Sequence, residues 1–220
     1  MKAIIAGATG LVGTYLLEML LADDNYGEVC VLTRRELNLG NQKVREVVTG
    51  FENLKDSLKE IEADHVFCCL GTTMKKAGTK KNFIKVDLEY PLKLAEIMLE
   101  KKAGKYLLVS ALGASTKSIF FYNRVKGEVE KAIRSLAYPS LYIFRPSLLL
   151  GERKEKRTGE DIAKKTYKYL DRLFIGPFKR YKGIHAKTVA YAMINMAKSG
   201  PEGTVILESD QVKSHLKKIH

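Results

Sequence analysis

The chain has 220 residues, 45% of them hydrophobic, and a net charge of +13, values that fit one soluble globular domain with a sizeable core. No apolar stretch approaches the roughly 18–20 residues needed to span a bilayer, and the three cysteines (Cys30, Cys68 and Cys69) have neither disulfide nor zinc-ligand spacing. These features exclude a membrane span, a disulfide scaffold and a metal site; with no secretory signal ahead of the first apolar run, they predict reduced thiols and a cytoplasmic protein.

Apolar runs alternate with helical periodicity from the first residues onward. The first strand is expected at Lys2–Ala6, followed by Gly7-Ala8-Thr9-Gly10-Leu11-Val12-Gly13 and a helix at Leu11–Leu21. In the order strand, glycine turn, helix, free backbone N–H groups and the positive end of the helix dipole face a pyrophosphate. Gly7 permits the tight turn, Gly10 puts no side chain in the way of the phosphates, and Gly13 lets the helix lie close to the strand. The whole loop, Ala8 and Thr9 included, is therefore the candidate dinucleotide cradle.

A second strand, Glu28–Thr33, runs into Arg34-Arg35. An NAD site carries an Asp or Glu here to accept from the ribose hydroxyls. Two guanidiniums instead suit the extra 2′-phosphate of NADP, so NADP(H) is the expected cofactor. Strands at Val44–Val48 and His65–Leu70 flank a helix at Leu54–Ile61. Val66-Phe67-Cys68-Cys69-Leu70 is nearly continuously apolar, as in a parallel sheet covered by helices on both faces. Leu70 and Gly71, at the carboxyl end of that strand, are expected to line the cofactor. A helix at Leu88–Lys101, capped by Asp87 and with Pro91 in its first turn, leads to a strand at Tyr106–Ser110.

The next helix, Phe120–Leu136, carries Tyr122 and Lys126 four residues apart and so on one face. A phenol has an ordinary pKa of about 10, and a neighbouring ammonium together with an oxidised nicotinamide favours its phenolate. Tyr122 would exchange a proton with a carbonyl or alcohol oxygen while a hydride moves to or from the nicotinamide. Lys126 would tune Tyr122 and hold the ribose hydroxyls, and Ser110 would donate to the substrate oxygen. Glu128 and Glu130 read as solvated helix charges. After a strand at Leu141–Arg145 come a charged loop from Gly151 to Gly159, a helical stretch at Asp161–Leu173 and a break at Gly176-Pro177. A helix at Ala186–Lys198, a strand at Thr204–Glu208 and a polar helix close the chain. The expected fold is α/β: a Rossmann-like doubly wound parallel sheet over residues 1–220, with 151–220 as a small C-terminal extension on the substrate side.

The glycine loop together with Ser110, Tyr122 and Lys126 resembles the short-chain dehydrogenase/reductase superfamily. Phe67-Cys68-Cys69-Leu70-Gly71-Thr72-Thr73, Lys76-Ala77-Gly78, Val125-Lys126-Gly127-Glu128-Val129-Glu130 and Phe144-Arg145-Pro146 extend the likeness over essentially the whole chain. They make it similar to an atypical branch, the Tat-interacting oxidoreductase-like family and its bacterial relatives. That resemblance implies NADP binding by Gly7, Gly10, Leu11, Val12, Arg34, Arg35, Leu70, Gly71, Tyr122 and Lys126. It adds Leu149 and Arg157, which the residues alone would place in the core and on the surface. Two departures stand out. The glycines follow G-x-x-G-x-x-G, which suits the short-chain branch, and Ser110 precedes Ala111 where similar chains often have a second serine, so Ser115 and Ser118 are alternatives for the catalytic serine.

The expected activity is that of an NADP-dependent oxidoreductase acting on a small carbonyl or alcohol. The resemblance also implies an alternative, a non-catalytic NADPH-binding regulator that reports redox state to a protein partner. Basic pairs such as Lys75-Lys76, Lys80-Lys81 and Lys164-Lys165 are scattered and lack a nucleic-acid-binding motif. They read as a solvated surface rather than a site for a specific nucleic acid, and their field favours a phosphorylated cofactor. No membrane partner is expected, and the Phe120–Leu136 helix is the candidate face for a homodimer.

Overall fold

A computed structural model describes residues 1–151 and 181–217. The charged loop beyond Gly151, the helix expected at Asp161–Leu173, the break at Gly176-Pro177 and Arg157 lie outside the described residues.

The strands are β1 (Lys2–Ala6), β2 (Glu28–Thr33), β3 (Val44–Val48), β4 (His65–Cys68), β5 (Lys105–Val109), β6 (Ser140–Arg145), β7 (Leu149–Leu150), β8 (Ile184–His185) and β9 (Gly203–Glu208). Seven of them form one sheet in the order β3-β2-β1-β4-β5-β6-β9, every neighbouring pair parallel. The order reverses between β1 and β4, so the crevice outside their carboxyl ends is the topological switch point. The short β7–β8 pairing lies just beyond β6.

Helices α1 (Leu11–Ala22), α2 (Leu54–Ser57), α3 (Met74–Ala77), α4 (Lys80–Ile84), α5 (Tyr90–Glu100), α6 (Phe121–Ser135), α7 (Ala186–Ser199) and α8 (Ser209–Lys217) connect the strands. Successive strand side chains point to opposite faces, which splits the core in two. Ile5, Val31, Phe67, Leu107 and Tyr142 pack with α1 and α7, while Ile4, Cys30, Val66, Tyr106 and Ile143 pack with α5 and α6. Each fully buried aliphatic side chain in these layers contributes roughly 1.5–3 kcal/mol. The doubly wound Rossmann-like sheet expected from the alternating apolar runs is the fold observed.

The differences have local causes. The strand expected to reach Leu70 ends at Cys68; the Cys69 N–H still donates to the Ala6 carbonyl at 2.8 Å, and the chain then turns away beneath the glycine loop. The helix expected at Leu54–Ile61 tightens into turns after Ser57, with the Ile61 N–H reaching back only to Leu58. The helix expected to start at Leu88 begins earlier. α4 runs into a π-helical turn, Lys85–Glu89, and on into α5 without a break. Pro91 lacks an N–H and its ring crowds the carbonyl four residues back, that of Asp87; the wider turn, in which the Tyr90 N–H donates to Lys85, accommodates it. Asp87 is thus inside a continuous helix and not a cap.

Residues 184–217 mostly build the sheet rather than a substrate-side extension. α7 buries Val189, Ala190, Met193 and Ala197 against α1, and β9 pairs with β6. An apolar face of that width is costly in water, so it covers the sheet. Lys198 on α7 also pairs with Asp23 after α1 at 3.0 Å. Among the described residues, the β7–β8 pairing and α8 lie on the carboxyl side of the strands, where Ser209 accepts the Ser147 N–H at 2.8 Å and Lys213 donates to the Gly183 carbonyl at 2.8 Å.

At the amino end of β4, His65 is buried and its Nδ1 lies 2.8 Å from the Tyr26 hydroxyl. Burial, helped by the Lys105 charge, pushes the imidazole down to about 4, against about 6.5 when unfolded. Between those values the unfolded chain binds the extra proton, so this stability is complete above pH ~6.5 and is lost as pH falls toward ~4. Urea unfolding from pH 7.5 to pH 5 should therefore show a steeper loss for the wild type than for His65→Gln; equal slopes would remove His65 as the cause.

Candidate active site

The glycine loop turns directly over the switch point. Gly7 has φ +88°, and a Cβ on it would lie 2.6 Å from the Cys69 carbonyl oxygen. A Cβ on Gly13 would lie 2.1 Å from the Gly7 carbonyl oxygen, so α1 touches the loop backbone to backbone. The Gly10 N–H donates to that same carbonyl at 2.9 Å. Ala8 and Val12 anchor in the core while Thr9 and Gly10 are exposed. Gly10 is the N-cap of α1, and no side chain caps the helix among the described residues. The first-turn N–H groups are thus left for a ligand. Leu11 faces Gly151, where a Cβ would approach its Cδ1 to 3.1 Å. Leu149, just before it in β7, is half-buried against the core.

Arg34 and Arg35 are exposed at the carboxyl end of β2, the strand beside β1. The Thr33 hydroxyl holds their turn by donating to the Arg35 carbonyl at 2.7 Å.

On the far side of the crevice, α6 is seated by Gly127. A Cβ there would fall 2.2 Å from the Ser115 carbonyl carbon, so the helix rests on the loop after β5. This seating buries Lys126 and leaves Tyr122 partly exposed. The Tyr122 ring is braced edge-on by Phe83 at 5.8 Å, and Ile119 and Phe120 beside it are exposed. The Lys126 ammonium pairs with Asp87 Oδ1 at 2.8 Å, both side chains nearly inaccessible. Asp87 Oδ2 accepts the Thr72 N–H at 2.8 Å. Burial alone would lower the Lys126 pKa, but the Asp87 charge, Tyr122 and the bond to Asp87 outweigh it and raise it. A Cβ on Gly71 would come within 3.5 Å of Asp87 Oδ1 and 3.7 Å of Lys126 Nζ, which places Leu70-Gly71 directly over the pair.

Ser110 is elsewhere engaged. Its hydroxyl donates to Glu130 Oε1 at 2.5 Å, and Glu130 in turn receives the Arg145 guanidinium through Nε at 3.0 Å and Nη2 at 2.5 Å. A serine has one proton to donate, so the expected bond from Ser110 to a substrate oxygen does not form in this arrangement. Glu130 is buried rather than solvated; it lies one turn beyond Lys126, beside the stripe of Val125, Val129 and Ile133. Ser115 and Ser118 accept backbone N–H groups of Lys117 and Phe120 and shape the turn into α6. Asp87, Thr72 and Glu130 are thus site residues beyond the Tyr-Lys pair. No group of three or more His, Cys, Asp or Glu among the described residues is arranged to hold a metal.

Sheet order and the cradle at its reversal define the class: a Rossmann-fold protein of the short-chain dehydrogenase type. The sequence pattern of the NAD dependent epimerase/dehydratase family matches residues 3–209, and the chain belongs to that family. It is 34% identical to Protein HTATIP2 of Rattus norvegicus over 99% of this chain and 89% of the relative. It is 30% identical to Protein FMP52, mitochondrial, of Eremothecium gossypii over 99% and 98%. The UDP-glucuronic acid 4-epimerase of Bacillus cereus, solved in complex with NAD, superposes with a TM-score of 0.71 at 14% identity, over 100% of this chain and 83% of that one. A nicotinamide dinucleotide is the cofactor of the family.

The expected cytoplasmic setting is overturned by these relatives, since FMP52 proteins from several fungi are named mitochondrial. The thiols never discriminated between compartments. Cys30 and Cys68 are buried in the core, where burial pushes both thiols up, and thiols so enclosed do not report the redox state of a compartment.

Gly13→Ala should destabilise the fold by about 1–3 kcal/mol or more, because the added methyl meets backbone and not a side chain that can swing away. Gly27→Ala, with nothing within 4 Å of the new methyl, is the control; equal midpoints in urea would show that α1 does not need the contact.

Proposed function

We propose that the protein is an NADP(H)-dependent oxidoreductase acting on a small carbonyl or alcohol, with Tyr122 as acid–base and Lys126 as its cationic partner. The observation that carries this reading is the placement of Lys126 and Asp87 under Gly71, across the switch-point crevice from the Gly7–Gly13 cradle. The chain's own groups fit the dinucleotide at both ends. The cradle offers uncapped N–H groups and no side chains where Gly7, Gly10 and Gly13 stand. Arg34 and Arg35 would hold the 2′-phosphate, Leu70 and Gly71 would line the nicotinamide half, and Leu149 would back the loop. Arg157 belongs to the same expectation through resemblance alone.

The nicotinamide supplies or accepts the hydride when bound. Tyr122 would give its hydroxyl proton to a carbonyl oxygen in reduction and take one from an alcohol in oxidation. Lys126, one helical turn on, would place its ammonium on the same face of α6 as this proton transfer. Exposed Ile119 and Phe120 favour an uncharged, apolar substrate body beside Tyr122.

The engagement of Ser110 with Glu130 favours a second reading, a redox-sensing NADPH-binding regulator, since it removes Ser110 as a second donor to the substrate oxygen. Tyr122→Phe separates the two. It should lower turnover of a carbonyl panel by roughly 10²- to 10⁴-fold under the first reading, while wild type without turnover that still binds NADPH supports the second. Fluorescence titration tests the cofactor: NADPH should bind more tightly than NADH, and neutralising Arg34 or Arg35 should erase roughly ten-fold of that preference each. Equal affinity for the two in the wild type would sink the arginine assignment.

A further inference from the structure

We infer that Asp87 is the positioning residue of this site: it aims Lys126 and keeps it cationic, and it acts on a bound dinucleotide only through that lysine. The inference rests on the dinucleotide reading above and concerns a residue that the Tyr-x-x-x-Lys spacing does not reveal.

Two contacts and the local backbone fix the carboxylate. Oδ2 is tied to the Thr72 N–H at 2.8 Å, in the loop that leaves β4. Oδ1 faces the Lys126 ammonium at 2.8 Å and takes no other hydrogen bond among the described residues. The backbone of Asp87 lies in the middle of the π-helical turn, held open by Pro91 four residues on. Such turns interrupt the regular ladder and re-aim a side chain. Gly71 lies over the pair, and its missing side chain leaves the approach from the crevice open.

The electrostatics assign the direction of the effect. An ammonium this deeply buried costs several kcal/mol unless it is paired. The groups that face Lys126 are Asp87 from the π-helical turn, Tyr122 from its own helix and Cys68 from β4. Burial pushes the Cys68 thiol up, so that it is neutral, and Asp87 is the one carboxylate of the three. Remove its charge while keeping its shape, and burial is left to push the Lys126 ammonium toward its neutral form. The lysine then loses both its hold on ribose hydroxyls and its effect on Tyr122.

The test is a cycle of four proteins: wild type, Asp87→Asn, Lys126→Met and the double variant, each titrated with NADPH from pH 6 to pH 9. Asp87→Asn should bind roughly ten-fold more weakly at the alkaline end and near normally at pH 6. Lys126→Met should bind weakly at every pH, and adding Asp87→Asn to it should change affinity less than about two-fold. Equal weakening by Asp87→Asn in both backgrounds would mean that Asp87 is a structural strut, and unaltered binding by Asp87→Asn at pH 9 would also overturn the inference. If Asp87→Asn alone does not fold, comparing the double variant with Lys126→Met decides the matter, a weaker double variant overturning it. Thermal melts of the same proteins without cofactor give a second readout: Asp87→Asn should lower the midpoint in the wild type and not in Lys126→Met, and equal losses would refute the coupling. A wild type that binds neither NADPH nor NADH defeats the dinucleotide reading instead, and the melts still decide the pairing.

Discussion

The site depends on backbone meeting backbone at two glycines, one in the first turn of α1 and one near the middle of α6. Gly13 brings α1 onto the Gly7 carbonyl, and Gly127 brings α6 onto the Ser115–Thr116 peptide. A methyl at either place would intrude by more than 1 Å on the ordinary carbon contact of about 3.5–4.0 Å. Close approach at Gly13 holds the first turn of α1 over the crevice between β1 and β4. Close approach at Gly127 presses Lys126 down to the level of Gly71. One device, used twice, sets the two ends of the proposed cofactor site relative to the sheet.

The second feature of the design is a pair of buried charge systems one turn apart on α6. Lys126 meets Asp87, and Glu130 meets Arg145 and Ser110. The helix supplies a cation to one and an anion to the other, so the buried pairs cancel. Apolar residues of similar volume often stabilise a core as well as or better than ion pairs do, so stability alone does not account for them. Their common effect is geometric: α6 is tied to the loop after β4 by one pair and to the ends of β5 and β6 by the other. Ser110 belongs to the second system, which separates it from Tyr122 despite its place at a strand end.

Much of this was legible in the residues. The near-continuous apolar runs of β1, β4 and β5 announce two-sided burial, and Gly7, Gly10 and Gly13 sit where a strand gives way to a helix. Tyr122 and Lys126 share a face because helices repeat every 3.6 residues. What the sequence hid depends on tertiary distance. Asp87 reads as a cap because a proline follows four residues later; only the π-helical turn, which keeps the helix continuous, carries it inward. Glu130 reads as a surface charge until the row it shares with Lys126, one turn back on α6, is seen to be buried beside the apolar stripe of Val125, Val129 and Ile133. The place of α7 is hidden for a similar reason: its apolar face needs a partner, and α1, far away in the chain, is that partner.

That last contact sets an order of events in making the molecule. α1 is synthesised well before its cover: the layer over Leu16 and Leu20 includes Val189, Met193 and Ala197, and the ion pair fastening the two helices joins Asp23 to Lys198. The sheet edge beside β6 is closed only by β9, later still. Loops of this length close slowly. A nascent chain therefore carries one flank of α1 bare until α7 has been made, and that flank is covered late in folding.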